Sequence, residues 1–182
     1  ASYNDDTIAW YENDGAADPS WTASNIDTNA DGAWRVYVAD MDGDGDLDIV
    51  SQSNLDDTIA WYENDGAADP SWTAADIDTN INGGNGHWGG YIVAADMDGD
   101  SDLDLVSTQN GTTVWYENDG ASDPSWTVAT IATSGFASIH VPDLDNDGDL
   151  DIVAPFWPAI HDSANDGTSD PAWTTGPNPH CT

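Results

Sequence analysis

One short segment recurs four times along this 182-residue chain. It reads NDGAADPSW at Asn13 and again at Asn64, NDGASDPSW at Asn118, and NDGTSDPAW at Asn165. The copies are separated by about 50 residues, a period that is typical of solenoids, propellers and other repeat folds. Such units bury their core by stacking against one another, so this feature constrains the fold before any single element is assigned.

Each repeat contains short runs that predict β-strands. The segments Thr7–Glu12, Thr58–Glu63 and Thr113–Glu117 are rich in β-branched and aromatic residues, and Asn, Asp and Gly bound them. Two more apolar runs flank an acidic segment in the same repeat, and a fourth strand is predicted to begin at the tryptophan that follows each DPS sequence. No run shows helical periodicity. Four short strands in about 50 residues are typical of a β-propeller blade.

Three acidic segments lie between the first two predicted strands of their repeats. They read DMDGDGDLD at Asp40–Asp48, DMDGDSDLD at Asp96–Asp104 and DLDNDGDLD at Asp143–Asp151. Carboxylates at positions 1, 3 and 5, a backbone carbonyl at position 7 and the aspartate at position 9 are the hard oxygen ligands that Ca²⁺ prefers. Because so many like charges would repel one another without a cation, we expect three Ca²⁺ sites that form part of the fold.

The acidic loops and their neighbours together resemble a known family. The DGDGDLD loop, the flanking VADMD and DIVS segments and the WYEND segment recur in one order, and the combination resembles VCBS/FG-GAP repeats. That resemblance implies an all-β fold of four-stranded, calcium-loaded β-propeller blades, as in integrin α-subunit heads and fungal lectins. It also implies these metal ligands, with position 7 acting through its carbonyl: Asp40, Asp42, Asp44, Asp46, Asp48, Asp96, Asp98, Asp100, Asp102, Asp104, Asp143, Asp145, Asp147, Asp149 and Asp151.

The second loop departs from this pattern at position 6. Ser101 stands there, where the other two loops have Gly45 and Gly148. If the sharp turn needs a positive φ at this position, serine costs about 1 kcal/mol relative to glycine. The middle site is therefore predicted to be the weakest of the three.

The repeats predict about three and a half blades. The expected bounds are 1–30 for an N-terminal half-blade made of two outer strands, 31–80 for blade one, 81–133 for blade two, and 134–182 for blade three with the C-terminal tail. The outer half of blade three is expected to be degenerate, because Pro155 and Pro158 interrupt its strand sequence and proline weakens a ladder strand.

An intact outer hairpin at Thr7–Trp21 lies at the opposite end of the chain from the degenerate one. Closed propellers typically have four to eight blades, so three and a half blades need further strands to cover their ends. We expect the half-blade to dock on the last blade of another copy by strand addition, giving a head-to-tail assembly such as a filament, or a two-chain ring. The alternative is that the sequence belongs to a longer array with further blades, as in a larger surface adhesin.

The charge of the chain excludes several classes of partner. There are 35 Asp and Glu residues against one Lys or Arg, for a formal net charge of −34. Nucleic acids and anionic membranes attract clustered Lys and Arg, so neither is expected to bind, and no apolar run is long enough to span a bilayer. Because loops of this type suit the millimolar Ca²⁺ found outside cells, we expect an extracellular or cell-surface protein.

The remaining side chains do not predict an enzyme. The sequence has no nucleophile elbow, phosphate-binding loop or zinc-protease motif, so a structural or adhesive role is expected. The alternative is a lectin-like propeller that binds carbohydrate, with His87, Trp88 and Trp157 as candidate ligand-binding residues because they interrupt the repeat. Asn110 begins an Asn-Gly-Thr sequon and is a candidate glycosylation site. The lone Cys181 cannot form an intrachain disulfide.

Overall fold

The computed structural model describes residues 1–81, 90–109, 111–132, 138–156, 159–164 and 174–177, and these form β-strands without a helix. The expected all-β fold is therefore confirmed. The strands are β1 Ile8–Asn13, β2 Trp21–Asp27, β3 Ala33–Ala39, β4 Asp48–Ser53, β5 Thr58–Asn64, β6 Trp72–Asp78, β7 Ile92–Ala95, β8 Asp104–Gln109, β9 Thr112–Asn118, β10 Trp126–Ala132, β11 Ile152–Phe156, β12 Ala159–Ala164 and β13 Thr174–Pro177.

The strands form antiparallel sheets in which neighbours in sequence are neighbours in space. Two sheets have four strands each, in the orders β3-β4-β5-β6 and β7-β8-β9-β10. The pair β1-β2 forms a separate two-stranded sheet, and β11-β12-β13 forms a three-stranded one. The four-stranded meanders are the propeller-type blades that the sequence predicts. The assignment of β1-β2 as the two outer strands of a half-blade stays a prediction.

In the three copies that the structure describes, the recurrent NDG segment forms the turn between two paired strands. In the β5-β6 hairpin, Oδ1 of Asn64 accepts the N–H of Gly66 over 3.0 Å. Oδ1 of Asp65 accepts the N–H groups of Ala67 and Ser71, each over 3.1 Å. Chiefly because of these donors, with Ser71 first, the pKa of Asp65 lies below its ordinary value. The repeat is therefore a side-chain-stabilised hairpin turn.

The chain divides into two compact units. One contains Ala1–Val36 and Asp48–Gly89, and the other contains Tyr37–Leu47 and Gly90–Thr182. The division falls inside β3 and again near the end of the first acidic loop. These units do not coincide with the repeat bounds expected from the sequence, which stay a prediction.

The core of the first unit joins the N-terminal hairpin to the first four-stranded sheet. Its buried members are Ile8, Ala30, Ala33, Ala60 and Tyr62. Partly buried apolar side chains, among them Ile26 of β2 and Ile49 of β4, pack against this group. Because side chains alternate across a strand, the hairpin and the sheet each turn one face toward this core.

The core of the second unit is built around Trp115 of β9. Its buried members are Met97, Val106, Trp115, Ile131, Ile139 and Ile152. Val106 and Trp115 are directly paired across β8 and β9, and such cross-strand pairs of aromatic and β-branched side chains stabilise a sheet. The core therefore brings together side chains from both repeats of this unit.

Blade three contains strands in the segment whose sequence is degenerate. That segment, Ala154–Asn165, includes the end of β11 and all of β12, and Pro155 pairs with Ile160. Among the described residues, the inner strand is represented by an isolated bridge, in which the N–H of Val153 donates to the carbonyl of His140 over 2.8 Å. Alternation along the strand places the Pro155 nitrogen on the same side as that N–H, away from β12. The proline therefore removes no hydrogen bond from the β11-β12 ladder.

Candidate metal centres

Each acidic loop brings three carboxylates to one point. In each group, one side-chain oxygen from every residue lies within 4.8 Å of the others. Within the described part of the chain the groups are Asp40, Asp42 and Asp48; Asp96, Asp98 and Asp100; and Asp143, Asp145 and Asp151. The structure thus gathers the predicted ligands at positions 1 and 3 of every loop, with position 9 in the first and third loops and position 5 in the second.

The other predicted ligands lie outside these groups. They are Asp44 and Asp147 at position 5, and Asp104 at position 9 of the second loop. At position 7, Asp46, Asp102 and Asp149 donate their N–H to the position-5 carboxylate over 2.9, 3.0 and 3.1 Å. Their part in metal binding stays a prediction.

Backbone N–H groups wind each loop around its first aspartate. One oxygen of that residue accepts the N–H of position 6 over 3.0, 3.1 and 3.2 Å in the three loops. The carboxylate at position 3 accepts the N–H of position 5 over 3.2, 3.2 and 3.3 Å. These local bonds, which aspartate readily forms with nearby backbone, turn alternate carboxylates toward a common centre.

The first loop leaves one carboxylate oxygen without a donor. Oδ1 of Asp40 is buried and has no hydrogen-bond partner among the described residues. The corresponding oxygen accepts the N–H of position 4 over 2.8 Å in the second loop and 2.7 Å in the third. A buried anionic oxygen is strongly unfavourable unless something pairs with it. Its position beside Asp42 and Asp48 therefore fits a cation.

The donor set suits a hard cation. The gathered atoms are all carboxylate oxygens, the ligand type that Ca²⁺ prefers, with no thiolate or imidazole in the groups. In the second loop, burial raises the pKa of Asp98, and the charges of Asp100 and Asp96 raise it further. Ionising this group is thus opposed by its surroundings, and a bound cation would supply the compensating charge.

The last aspartate of the second loop ties the loop to the sheet. Oδ2 of Asp104 accepts the N–H of Met97, at the start of the loop, over 3.0 Å. Oδ1 accepts the N–H of Asn118, at the end of β9, over 2.8 Å. Burial raises the pKa of Asp104 to about 7, although both N–H groups favour the charged form. In the third loop, Asp151 makes the corresponding bond to the N–H of Leu144 over 2.9 Å. This closing carboxylate therefore clamps the backbone of its loop.

Position 6 has the backbone conformation that the sequence predicts. The φ angles there are 100° at Gly45, 85° at Ser101 and 103° at Gly148. The first and third loops satisfy this left-handed conformation with glycine, while the second places a side chain in it. The expectation of a positive φ at Ser101 is confirmed, and the weaker metal affinity of that loop stays a prediction.

The other candidate residues fall outside the described part of the chain. These are His87, Trp88, Asn110 and Trp157. One residue that sequence reasoning did not single out is Asn118, which lies buried beside the first and second loops. Its signal was the recurrence of asparagine after WYE in Asn13, Asn64 and Asn118. Among the described residues, no helix is long and apolar enough to cross a membrane.

A solved structure shares this fold. It belongs to an Agrocybe aegerita lectin, studied for its specific recognition of non-reducing terminal N-acetylglucosamine, and it superposes with a TM-score of 0.62 at 19% sequence identity. The match covers 92% of this chain and 45% of the lectin chain, so this chain spans less than half the length of that protein. At this level of identity the likeness concerns the fold.

A family of repeats matches the sequence itself. No curated protein is significantly similar to this chain. The FG-GAP-like repeat, however, matches three times in succession, over residues 1–51, 41–107 and 96–154. These matches span most of the chain and contain all three acidic loops. The chain therefore belongs to the FG-GAP-like repeat family.

Proposed function

We propose that this chain is a calcium-binding repeat protein, in which one Ca²⁺ ion in each acidic loop stabilises the adjoining blade. The observation that carries the proposal is the buried Oδ1 of Asp40, which lies in a group of three carboxylates without a hydrogen-bond donor among the described residues. The loops join the first two strands of their repeats. A cation held there would fix the geometry of that connection, and the strongly acidic chain would lose part of its self-repulsion.

Calcium removal tests this proposal. Ligand that binds only the folded state stabilises it by about 2.7 kcal/mol per site when its concentration is a hundred times Kd. The protein should therefore melt at a clearly higher temperature in millimolar Ca²⁺ than in EGTA, and calorimetry should give three bound ions. Asp42→Asn, Asp98→Asn and Asp145→Asn should each remove one ion. An identical melting curve in Ca²⁺ and EGTA would contradict the proposal.

We further propose a structural or adhesive role outside the cell, without catalytic activity, in which the N-terminal hairpin associates with another blade. Tyr11 is 60% exposed and Trp21 is 59% exposed, whereas Tyr62 and Tyr116, at the same repeat position as Tyr11, are 2% and 0% exposed. Tyr11 lies two residues from Asn13, which pairs with Trp21, so both rings lie on one face of the hairpin. This face therefore exposes a tyrosine whose counterparts in the other repeats are buried and a tryptophan whose counterparts, Trp72 and Trp126, are partly buried.

The occupant we favour is a blade of the same type, from a second copy or from further repeats. Inside the first unit, the hairpin already packs against Tyr62 of the next repeat through Ile8 and Ile26, and a preceding blade could cover Tyr11 in the same way. Light scattering in Ca²⁺ should show association that the pair of changes Tyr11→Ser and Trp21→Ser abolishes. Val128→Ser, at a side chain that is 54% exposed on β10, is the control. A strict monomer in Ca²⁺ would count against self-assembly.

Carbohydrate binding is the second candidate function. The exposed Tyr11 and Trp21 give one hairpin face two adjacent aromatic rings, and the lectin of the same fold recognises terminal N-acetylglucosamine. A glycan array that includes N-acetylglucosamine-terminated chains would test it. Binding that is lost in Trp21→Ala points to this face, and binding lost in Trp88→Ala or Trp157→Ala points to the residues expected from the sequence. No binding to any glycan in Ca²⁺ would leave the structural role.

A further inference from the structure

Asn118, the last residue of β9, bridges two acidic loops from inside the second compact unit. Its side-chain N–H₂ donates to the carbonyl of Met41 over 2.9 Å and to the carbonyl of Leu103 over 3.1 Å. Met41 is position 2 of the first loop and Leu103 is position 8 of the second. The residue is only 1% exposed. A single buried amide therefore holds the backbones of both loops.

Every polar atom of this amide is hydrogen-bonded. Its two N–H groups serve the two carbonyls, and its Oδ1 accepts the N–H of Gly120 over 3.0 Å. Buried carbonyls and amides are unfavourable when they lose their partners. The carbonyls of Met41 and Leu103 can therefore both keep their hydrogen bonds only while the backbones of the two loops stay at a fixed separation.

The bridge reaches the carboxylates of each loop. Met41 lies between Asp40 and Asp42, two members of the first acidic group, and its side chain is 2% exposed. On the other side, the Asn118 N–H donates to Asp104, which in turn accepts the N–H of Met97 at the start of the second loop. Hydrogen bonds thus connect the start of the second loop, through Asn118, to position 2 of the first loop.

We infer that Asn118 is a positioning residue that couples the first and second acidic loops, so that a divalent cation bound in either loop raises the affinity of the other. This inference rests on the calcium binding proposed above. A cation that orders the second loop fixes Leu103 and Asp104, and through Asn118 it fixes the Met41 backbone between two carboxylates of the first loop. Coupling of this kind is reciprocal, and its usual size corresponds to an affinity change of at least about fivefold.

The coupling between the first and second loops can be measured once the third loop is silenced. In an Asp145→Asn background, which silences the third loop, Ca²⁺ titration by calorimetry should give two ions that bind cooperatively. Adding Asp98→Asn, which silences the second loop, should weaken the first loop by at least about fivefold. Adding Asn118→Ala to Asp145→Asn should abolish the cooperativity. Asn13→Ala is the matched control, because Asn13 is exposed and makes the same turn bond, to Gly15 over 2.9 Å.

A spectroscopic readout separates coupling from loss of stability. In the variant that retains only the first loop, Ca²⁺ should shift the NMR signal of the Asn118 side-chain amide, although Asn118 belongs to the repeat of the second loop. This measurement, like the cooperativity with Asn118 intact, does not depend on whether Asn118→Ala folds. Two ions that bind independently in the Asp145→Asn background would overturn the coupling and leave the proposed function standing. Absence of any Ca²⁺ binding would overturn the proposed function itself.

Discussion

The phenol of Tyr62 donates a 2.8 Å hydrogen bond to the carboxylate of Asp27, and this bond joins β5 of the first four-stranded sheet to the end of β2 in the N-terminal hairpin. Tyr62 is 2% exposed, and its ring belongs to the apolar core of the first unit. A charged acceptor strengthens a hydrogen bond, and burial shields it from water. The pair therefore connects two sheets by polar as well as apolar contact.

Tyr62→Phe removes the donor but keeps the ring. Since a hydrogen bond to a charged group contributes about 1.5–3 kcal/mol, we expect the free energy of unfolding in Ca²⁺ to fall by about 2 kcal/mol. Urea unfolding followed by tryptophan fluorescence measures this change. Tyr11→Phe is the matched control, because Tyr11 is 60% exposed and its loss of a hydroxyl should change stability by less than about 0.5 kcal/mol. Equal stability of the two variants would show that the bond contributes nothing.

Alkaline pH should weaken the same contact. Burial, together with the bond to the Asp27 carboxylate, raises the pKa of Tyr62 well above its ordinary value of 10.0. Above pH 10 the unfolded chain loses this proton while the folded protein keeps it, so stability falls as the pH rises. Between pH 9 and 11 the advantage of the native protein over Tyr62→Phe should shrink by about 1 kcal/mol. A constant difference across that range would contradict the assignment.

Ser101→Gly should strengthen the second loop. Ser101 has a φ of 85°, and relief of this strain is worth about 1 kcal/mol. In a background of Asp42→Asn and Asp145→Asn, which leaves only the second loop, Ca²⁺ affinity by calorimetry should rise by about fivefold. The reciprocal change Gly148→Ser should weaken the third loop by a similar factor. No gain for Ser101→Gly would mean that the serine conformation does not limit this site.

Gly120→Ala should disturb the second loop through a side chain rather than through the backbone alone. Gly120 has a φ of +68°, and a Cβ there would overlap the carboxylate of Asp102, position 7 of the loop, with Cγ only 2.7 Å away. Gly15 has nearly the same φ of +72°, with nothing within 4 Å of its Cβ. Gly15→Ala should therefore cost about 1 kcal/mol, from backbone strain only.

Gly120→Ala should destabilise the protein by more than that and should also weaken Ca²⁺ binding in the second loop, because Asp102 must move. Denaturant unfolding and calorimetry on both variants measure the two effects. If the two alanine variants lose the same stability and bind Ca²⁺ with unchanged affinity, the Asp102 carboxylate relaxes freely and the contact is unimportant.

Much of the fold follows from local patterns. The aromatic and β-branched run around Trp61 and Trp115 predicts a buried strand, and both residues are buried, at 3% and 2% exposure. The alternating aspartates predict that the carboxylates at positions 1 and 3 meet, as they do in all three loops. These features depend on residues a few positions apart, where side-chain alternation and short backbone bonds determine the geometry.

The outer strands of blade three depend on more than local sequence patterns. The two prolines of Ala154–Asn165 predict a degenerate outer half, but the effect of a proline on a ladder depends on which side of its strand the missing N–H would face. The backbone nitrogen of Pro155 faces away from β12. The bridge between His140 and Val153 sets this orientation, and residues next to Pro155 in the sequence do not. The amino-acid composition of the segment does not predict the direction in which the proline nitrogen points.

Local sequence patterns account for the all-β architecture, the four-strand repeat and the convergence of acidic side chains in three loops, because each arises within one unit of about 50 residues. Three contacts arise from tertiary packing instead: Asp104 clamps its loop to β9, Asn118 spans two loops, and Tyr62 reaches Asp27. The partners in the last two contacts, Met41 with Asn118 and Asp27 with Tyr62, are 77 and 35 residues apart. Contacts at that range depend on how successive sheets pack, and packing brings together residues that no local pattern relates.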